Sequence, residues 1–380
     1  MQRRKFIKAS VTAIAASTTL GIFQETGGAT TIEGGNLIHS NVQFHNTSEL
    51  VQVDGLPGLR LQRVPEQVRT TLNEQCQQRM QTPHGCEIRF VSQGKDVEVT
   101  LSSIAGPTDM IVFWGDFQDV ERHTITTEPR TIKLSLPERV EQLKPGVATN
   151  STFPPHVWRL TMMGKDKHAL LHFHQIKGEG LRPPHDQELP KQTYLAYGTS
   201  VTDGFGATAM HLTYIAQAAR RLQADYINLG SAGSAYCEKE FADYMANRRD
   251  WTFATLEISL NMIGAEFTVE QYHDRAGYLA NKMAASDAAR PVICITPQPY
   301  FGDLCHEVEG PHGKGMVVEY RQALRDVVKN SPHQNMHLIE GCDLVASAEG
   351  YTMDLAHPGD FGHAEIGARL AERIERLIST

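Results

Sequence analysis

Between about residues 38 and 185, apolar positions alternate with polar ones in short runs. "CEIRFVS" (86–92), "KDVEVTLSS" (95–103), "DMIVFWGDF" (109–117), "RTIKLSLP" (130–137), "HVWRLTMM" (156–163) and "ALLHFHQIKG" (169–178) are mostly bounded by Gly, Pro, Asp or Ser clusters. A strand with one face on a core and one in water shows this period of two, so the pattern predicts a β-sandwich over 38–185. One interruption, "PEQVRTTLNEQCQQRM" (65–80), repeats Val68, Leu72 and Cys76 every four residues and predicts a helix. The polar, Pro-rich "GLRPPHDQELPKQT" (180–193) reads as a linker, with 186–193 as its core.

From Tyr194 the period changes. "TYLAYG", "DYINLG" (225–230), "FATLEISLN" (253–261), "RPVICITP" (290–297) and "MHLIEG" (336–341) predict strands. Between them, "HLTYIAQAARRLQA" (211–224) sets Leu212, Ile215, Ala216, Ala219 and Leu222 on one helical face. Helical patterns follow at 269–286 and 316–330, and "HAEIGARLAERIERLI" (363–378) predicts a final amphipathic helix. Strands alternating with helices imply an α/β domain over 194–380, with a parallel sheet and its site at the strand C-termini.

The chain has 380 residues and a formal charge of −8, which argues against nucleic acid as a partner. No apolar run reaches the roughly 20 residues of a membrane span. Residues 1–30 carry Arg3, Arg4, Lys5 and Lys8 ahead of the modestly apolar "VTAIAASTTLGIF". A basic head before a short apolar run predicts an export signal, and the paired arginines resemble the bacterial twin-arginine type. The expected location is therefore periplasmic or extracellular. Of six cysteines, Cys76 and Cys86 are close enough in sequence to bridge, and no CxxC pair suggests zinc.

The predicted strand ends carry suggestive residues: Gly198-Thr199-Ser200 after the first, "NLGSAGS" with Gly233 after the second, and Ser259-Leu260-Asn261 after the third. "MDLAHPGDFGH" sets Asp354 and His357 three residues apart before the last helix. A serine hydroxyl needs a base to become a nucleophile; His357 is the candidate base and Asp354 its orienting carboxylate. Ser200 N–H, Gly233 N–H and the Asn261 amide are candidate donors to a tetrahedral oxyanion, with Gly230 as the alternative second donor. Helix capping by Ser200 is the competing structural role. Tyr300 and Phe301 in "PQPYFGDLCHEVEGPHGKG" are candidate apolar walls, and Thr199 a candidate substrate contact. His172 and His174 share a predicted strand face; a solvated face is expected there, with metal binding as the alternative. Asp360 and His363 are expected to start the last helix.

In "GTSVTDG", "NLGSAGS", "SLN" and "DLAHP" the chain resembles the four blocks of the SGNH (GDSL-like) esterase and lipase superfamily, over residues 194–378. The resemblance implies a flavodoxin-like three-layer α/β/α fold and serine ester hydrolysis through an acyl-enzyme, without metal or cofactor. It puts the nucleophile on Ser200, the Asp-x-x-His pair on Asp354 and His357, and the oxyanion residues on Gly233 and Asn261. Thr199 stands where relatives carry Asp, and Ser259 where they carry Gly. A jelly-roll-like sandwich ahead of such a domain resembles exported carbohydrate acetylesterases, so the implied partner is an acylated small molecule or polysaccharide. A lipase or general short-chain acylesterase is one alternative, and an inactive carbohydrate-binding protein another.

Overall fold

The computed structural model describes residues 30–378, apart from 34–35, 163–168, 259, 311 and 313–315. All but Thr30 of the expected export signal, and Ser259 of the third block, lie outside the described residues.

The first half runs β1 (Thr31–Glu33), β2 (Asn36–His39), β3 (Val42–His45), β4 (Glu49–Gln52), β5 (Leu59–Gln62), α1 (Glu66–Arg69), α2 (Glu74–Arg79) and β6 (Glu87–Phe90). It continues with β7 (Asp96–Ile104), β8 (Thr108–Trp114), β9 (Phe117–Ile125), β10 (Arg130–Ser135), α3 (Glu138–Glu141), β11 (Trp158–Met162) and β12 (Leu170–Gly178). Two antiparallel sheets form, ordered β1-β2-β3-β6-β11-β8-β9 and β10-β7-β12-β5-β4. Phe44, Ile88, Val112 and Leu160 of the first sheet share one core with Leu61, Val99, Leu101 and Phe173 of the second, which makes the sandwich.

The helix predicted over 65–80 is two short helices instead. Thr70 and Thr71 hydroxyls bond back to the Glu66 and Val68 carbonyls, and Asn73 restarts the chain as an N-cap, accepting Cys76 N–H at 3.0 Å. This segment turns away from the sandwich. Val64, Leu72, Cys76 and Met80 are buried in the core of the second half, beside Leu195, Leu229 and Phe241.

The second half comprises β13 (Gln192–Gly198), α4 (Ser200–Asp203), α5 (Tyr214–Arg221), β14 (Ala224–Gly230), α6 (Lys239–Asn247), β15 (Phe253–Glu257) and α7 (Leu260–Gly264). Then come α8 (Val269–Ser286), β16 (Val292–Ile295), α9 (Phe301–Leu304), α10 (Met316–Lys329), β17 (Met336–Ile339) and α11 (Asp360–Ile378). The five strands are parallel in the order β14-β13-β15-β16-β17, the flavodoxin-like arrangement with its crevice at the strand C-termini. Helices α6, α8 and α10 bury Phe241, Leu279 and Leu324 on one face. Helices α5 and α11 bury Ile215, Ile366 and Leu370 on the other, completing three layers.

Buried charge joins the halves. Arg89 on β6 forks onto Asp225 at 2.5 and 2.9 Å and also reaches Glu87. Ions removed from water hold only when paired in this way. The cysteines are free rather than bridged: Cys76 lies in the core of the second half and Cys86 Sγ donates to Asn46 O at 3.2 Å. Burial pushes the Cys76 thiol up to about 12 and the Cys86 thiol up to about 11.

Candidate active site

Strand β13 ends at Gly198, and Ser200 opens α4 immediately after it. The cap position belongs to Thr199, but its hydroxyl does not cap the helix. It donates to Glu257 Oε2 at 2.7 Å, as does the Thr199 N–H at 2.8 Å and the Thr202 hydroxyl at 3.1 Å. A buried carboxylate from the end of β15 therefore grips the turn that carries Ser200. Gly198 is required for this approach, since a Cβ there would lie 2.3 Å from Thr202 Oγ1 and 2.7 Å from Glu257 Oε2.

Ser200 Oγ lies 2.7 Å from His357 Nε2, and His357 Nδ1 lies 2.6 Å from Asp354 Oδ2. Asp354 Oδ1 accepts the Thr352 hydroxyl at 2.8 Å and the Ala356 and His357 N–H groups at 3.0 Å each. Burial pushes the Asp354 carboxyl up, but the bonds from the His357 ring, Ala356 N–H, Thr352 and His357 N–H outweigh it and hold the group well below the usual carboxylate range. An ionised Asp354 beside Nδ1 favours the His357 tautomer with Nδ1–H, which leaves Nε2 as the acceptor facing Ser200. The Phe205 ring packs on His357 with centroids 4.6 Å apart. Gly206, at φ +90°, lets this loop come close: a Cβ there would sit 2.0 Å from Pro358 O.

These groups open into a cavity of about 450 Å³ lined by Thr199, Ser200, Gly233, Asn261, Phe301 and His357, among others. Gly233 follows β14 in a left-handed turn at φ +73°. Asn261 sits in the first turn of α7 and not at the end of an extended strand, because β15 stops at Glu257. A continuous apolar run such as "FATLEISLN" reads alike for a strand and for a strand followed by a buried helix. Asn261 Oδ1 accepts Ala235 N–H at 3.0 Å, which leaves Nδ2 as its uncommitted end. Gly230 is not placed to donate, since its N–H is bonded to Asn228 Oδ1 at 2.8 Å. Tyr300 stands behind Phe301, buried, with its hydroxyl on His312 O at 3.0 Å; Phe301 alone of the pair lines the cavity.

Among the cavity residues that the sequence does not point to, Gln75 and Arg79 arrive from α2, 120 residues or more before Ser200. No local pattern flags such a contact; only the off-sandwich apolar stripe Leu72-Cys76-Met80 hints at it. His172 and His174 do not form a solvated face. His172 is buried with Nδ1 3.1 Å from Pro57 O, and His174 Nε2 is 2.8 Å from Ser102 Oγ. Among the described residues no group of three or more metal-capable side chains occurs. Asp360 opens α11 and binds Thr208 through both its oxygens, while His363 is buried against Phe205.

The model of the GDSL-like Lipase/Acylhydrolase family matches residues 191–378. Residues 191–378 are thus a domain of that family. The chain is accordingly a carboxylic ester hydrolase by that domain. Among solved structures, the salicylyl-acyltransferase SsfX3 from a tetracycline biosynthetic pathway is similar at 14% identity, covering 94% of this chain and 98% of that one with TM-score 0.71. A family two carbohydrate esterase from Cellvibrio japonicus is similar at 12% identity, 93% and 94% coverage and TM-score 0.57. Another from Clostridium thermocellum, in complex with cellohexaose, is similar at 14% identity, 77% and 92% coverage and TM-score 0.55. No curated protein matches the chain in sequence. These likenesses extend over both halves and support the sandwich-plus-α/β architecture.

Proposed function

We propose that this protein, with its GDSL-family domain, is an exported serine esterase that removes short acyl groups, acetyl foremost, from carbohydrates. The observation that carries the chemistry is the unbroken relay Ser200–His357–Asp354, with hydrogen bonds of 2.7 and 2.6 Å. In this reading Ser200 Oγ attacks the ester carbonyl and His357 Nε2 takes its proton. Asp354 steadies the imidazolium, and the oxyanion rests among Ser200 N–H, Gly233 N–H and Asn261 Nδ2. His357 then returns the proton to the leaving alcohol, and water repeats the sequence on the acyl-enzyme. The carbohydrate assignment draws on the architecture shared with the family two carbohydrate esterases.

Acetate release from a panel of acetylated polysaccharides, with Ser200→Ala as control, tests it. Release by the wild type and none by a folded Ser200→Ala is the expected result. Unchanged release by Ser200→Ala would overturn the serine mechanism. Preference for long-chain p-nitrophenyl esters over the acetate would move the substrate to lipids.

A further inference from the structure

The 63–84 segment belongs to the sandwich by sequence and to the hydrolase by contact. Arg63, fully buried, donates through Nη1 to the carbonyls of Asn228 at 3.1 Å and Gly230 at 3.0 Å, where β14 leaves the sheet. Its Nη2 reaches Arg79 O at 2.6 Å and Asp203 Oδ1 at 3.2 Å, on the helix that Ser200 opens. The same Asp203 oxygen lies 2.8 Å from His84 Nδ1. One guanidinium thus spans the nucleophile helix and the root of the Gly233 loop.

Helix α2 holds the loop itself. Gln75 Nε2 donates to Ala232 O at 2.9 Å, and Arg79 Nε donates to the same oxygen at 3.2 Å. Asn73 Nδ2 donates to Ser234 O at 3.1 Å and to Glu238. The carbonyls on either side of Gly233 are therefore tied to the other half of the chain. The peptide joining Ala232 to Gly233 is planar, so fixing the Ala232 carbonyl fixes the direction of the Gly233 N–H. Gln75 lies so close that a Cβ on Gly233 would come within 2.4 Å of its Nε2.

We propose that Gln75, supported by Arg79 and Arg63, is a positioning residue: the sandwich half aims the Gly233 N–H at the oxyanion and so takes part in catalysis. This rests on the reading of Ser200 as nucleophile and Gly233 as oxyanion donor. A donor held rigidly loses nothing to reorganisation when charge develops, whereas one that swings loses much of its effect.

Gln75 is exposed on a short surface helix, so Gln75→Ala removes the bond without opening the core. With p-nitrophenyl acetate, Gln75→Ala is expected to lower kcat about 10- to 100-fold with KM and the melting temperature little changed. Gln75→Glu, which cannot donate to Ala232 O, is expected to fall at least as far. Affinity for a trifluoromethyl ketone should fall by the same factor as kcat/KM, because its hemiketal with Ser200 places an oxyanion in the same site. Arg63→Lys, which keeps the charge but loses the fork, is expected to lose kcat as well. Wild-type kcat and inhibitor affinity in Gln75→Ala would overturn the inference, as would a rise in KM alone. Loss of activity in Ser200→Ala beside an unaffected Gln75→Ala would refute the positioning role only. Full activity in Ser200→Ala would remove both.

Discussion

Acidification should weaken this fold through one buried imidazole. His363 Nδ1 accepts the Tyr214 N–H at 3.2 Å and its Nε2 donates to Phe205 O at 3.0 Å, an arrangement only the neutral Nε2–H tautomer satisfies. Protonation would set Nδ1–H against an N–H donor. Burial is the main cause that lowers the pKa from 6.5 to about 4; the Phe205 carbonyl and Asp360 oppose it, and His357 adds to it. The unfolded chain takes up this proton near 6.5 and the folded chain only near 4, so between those values the unfolded state binds more protons. Stability is therefore intact above about 6.5, declines as pH falls, and has lost this contribution near pH 4. Each pH unit of that separation is worth about 1.4 kcal/mol, which amounts to about 3 kcal/mol in all. His363→Gln can make both hydrogen bonds and does not titrate. Urea unfolding followed by circular dichroism, from about pH 7 to about pH 4, should show the wild type losing about 3 kcal/mol more than the variant. Carboxylates titrate in both proteins and cancel in the difference. Parallel stability profiles would refute the reasoning.

Asp354→Asn keeps the shape of the loop but no longer enforces the Nδ1–H tautomer of His357; kcat should drop about 10³- to 10⁴-fold with KM nearly unchanged. A loss below about tenfold in p-nitrophenyl acetate assays would exclude the orienting role. Gly206→Ala places a methyl 2.0 Å from Pro358 O at a φ of +90°. Thermal melts should show a loss of about 1–3 kcal/mol, and the rate should fall too, because Pro358 follows His357, the proposed base, directly. Thr199→Asp would face Glu257 Oε2 across a contact now 2.7 Å long. Two buried carboxylates without a shared proton repel, so chemical denaturation should show about 3 kcal/mol of destabilisation. Adding Glu257→Gln should recover most of it, and failure of that rescue would disprove the grip on the turn that carries Ser200.

Strong periodicity was enough to place the long helices and the parallel sheet. The pattern over 269–286 is α8 to the residue, and α10 and α11 lie within three residues of their expected bounds. Ser200, Asp354 and His357 converge because strand ends and the loop before the last helix share one edge in this topology. Weak or polar strands were not legible. β9, "FQDVERHTI", sits at a sheet edge with most side chains in solvent, and β2 to β5 are four residues each. Helix α6, at nine residues, is too short for its period to stand out in the sequence. The hand of Glu257 on Thr199 was invisible for a different reason: 58 residues separate them, and nothing local marks a buried glutamate as an acceptor for three donors.

The core shared by the two halves has a consequence for what counts as a unit of this protein. The stretch recognisable by family starts at residue 191, yet Val64, Leu72, Cys76 and Met80 are packed among its own side chains. Cut at that boundary, the hydrolase would carry an apolar trough on its surface and leave Asp203 without Arg63 and His84. Recognisability and autonomy thus part company here. The side chains that complete this core lie outside the stretch that bears the family's mark, so a piece meant to fold alone is expected to need residues 63–84 as well.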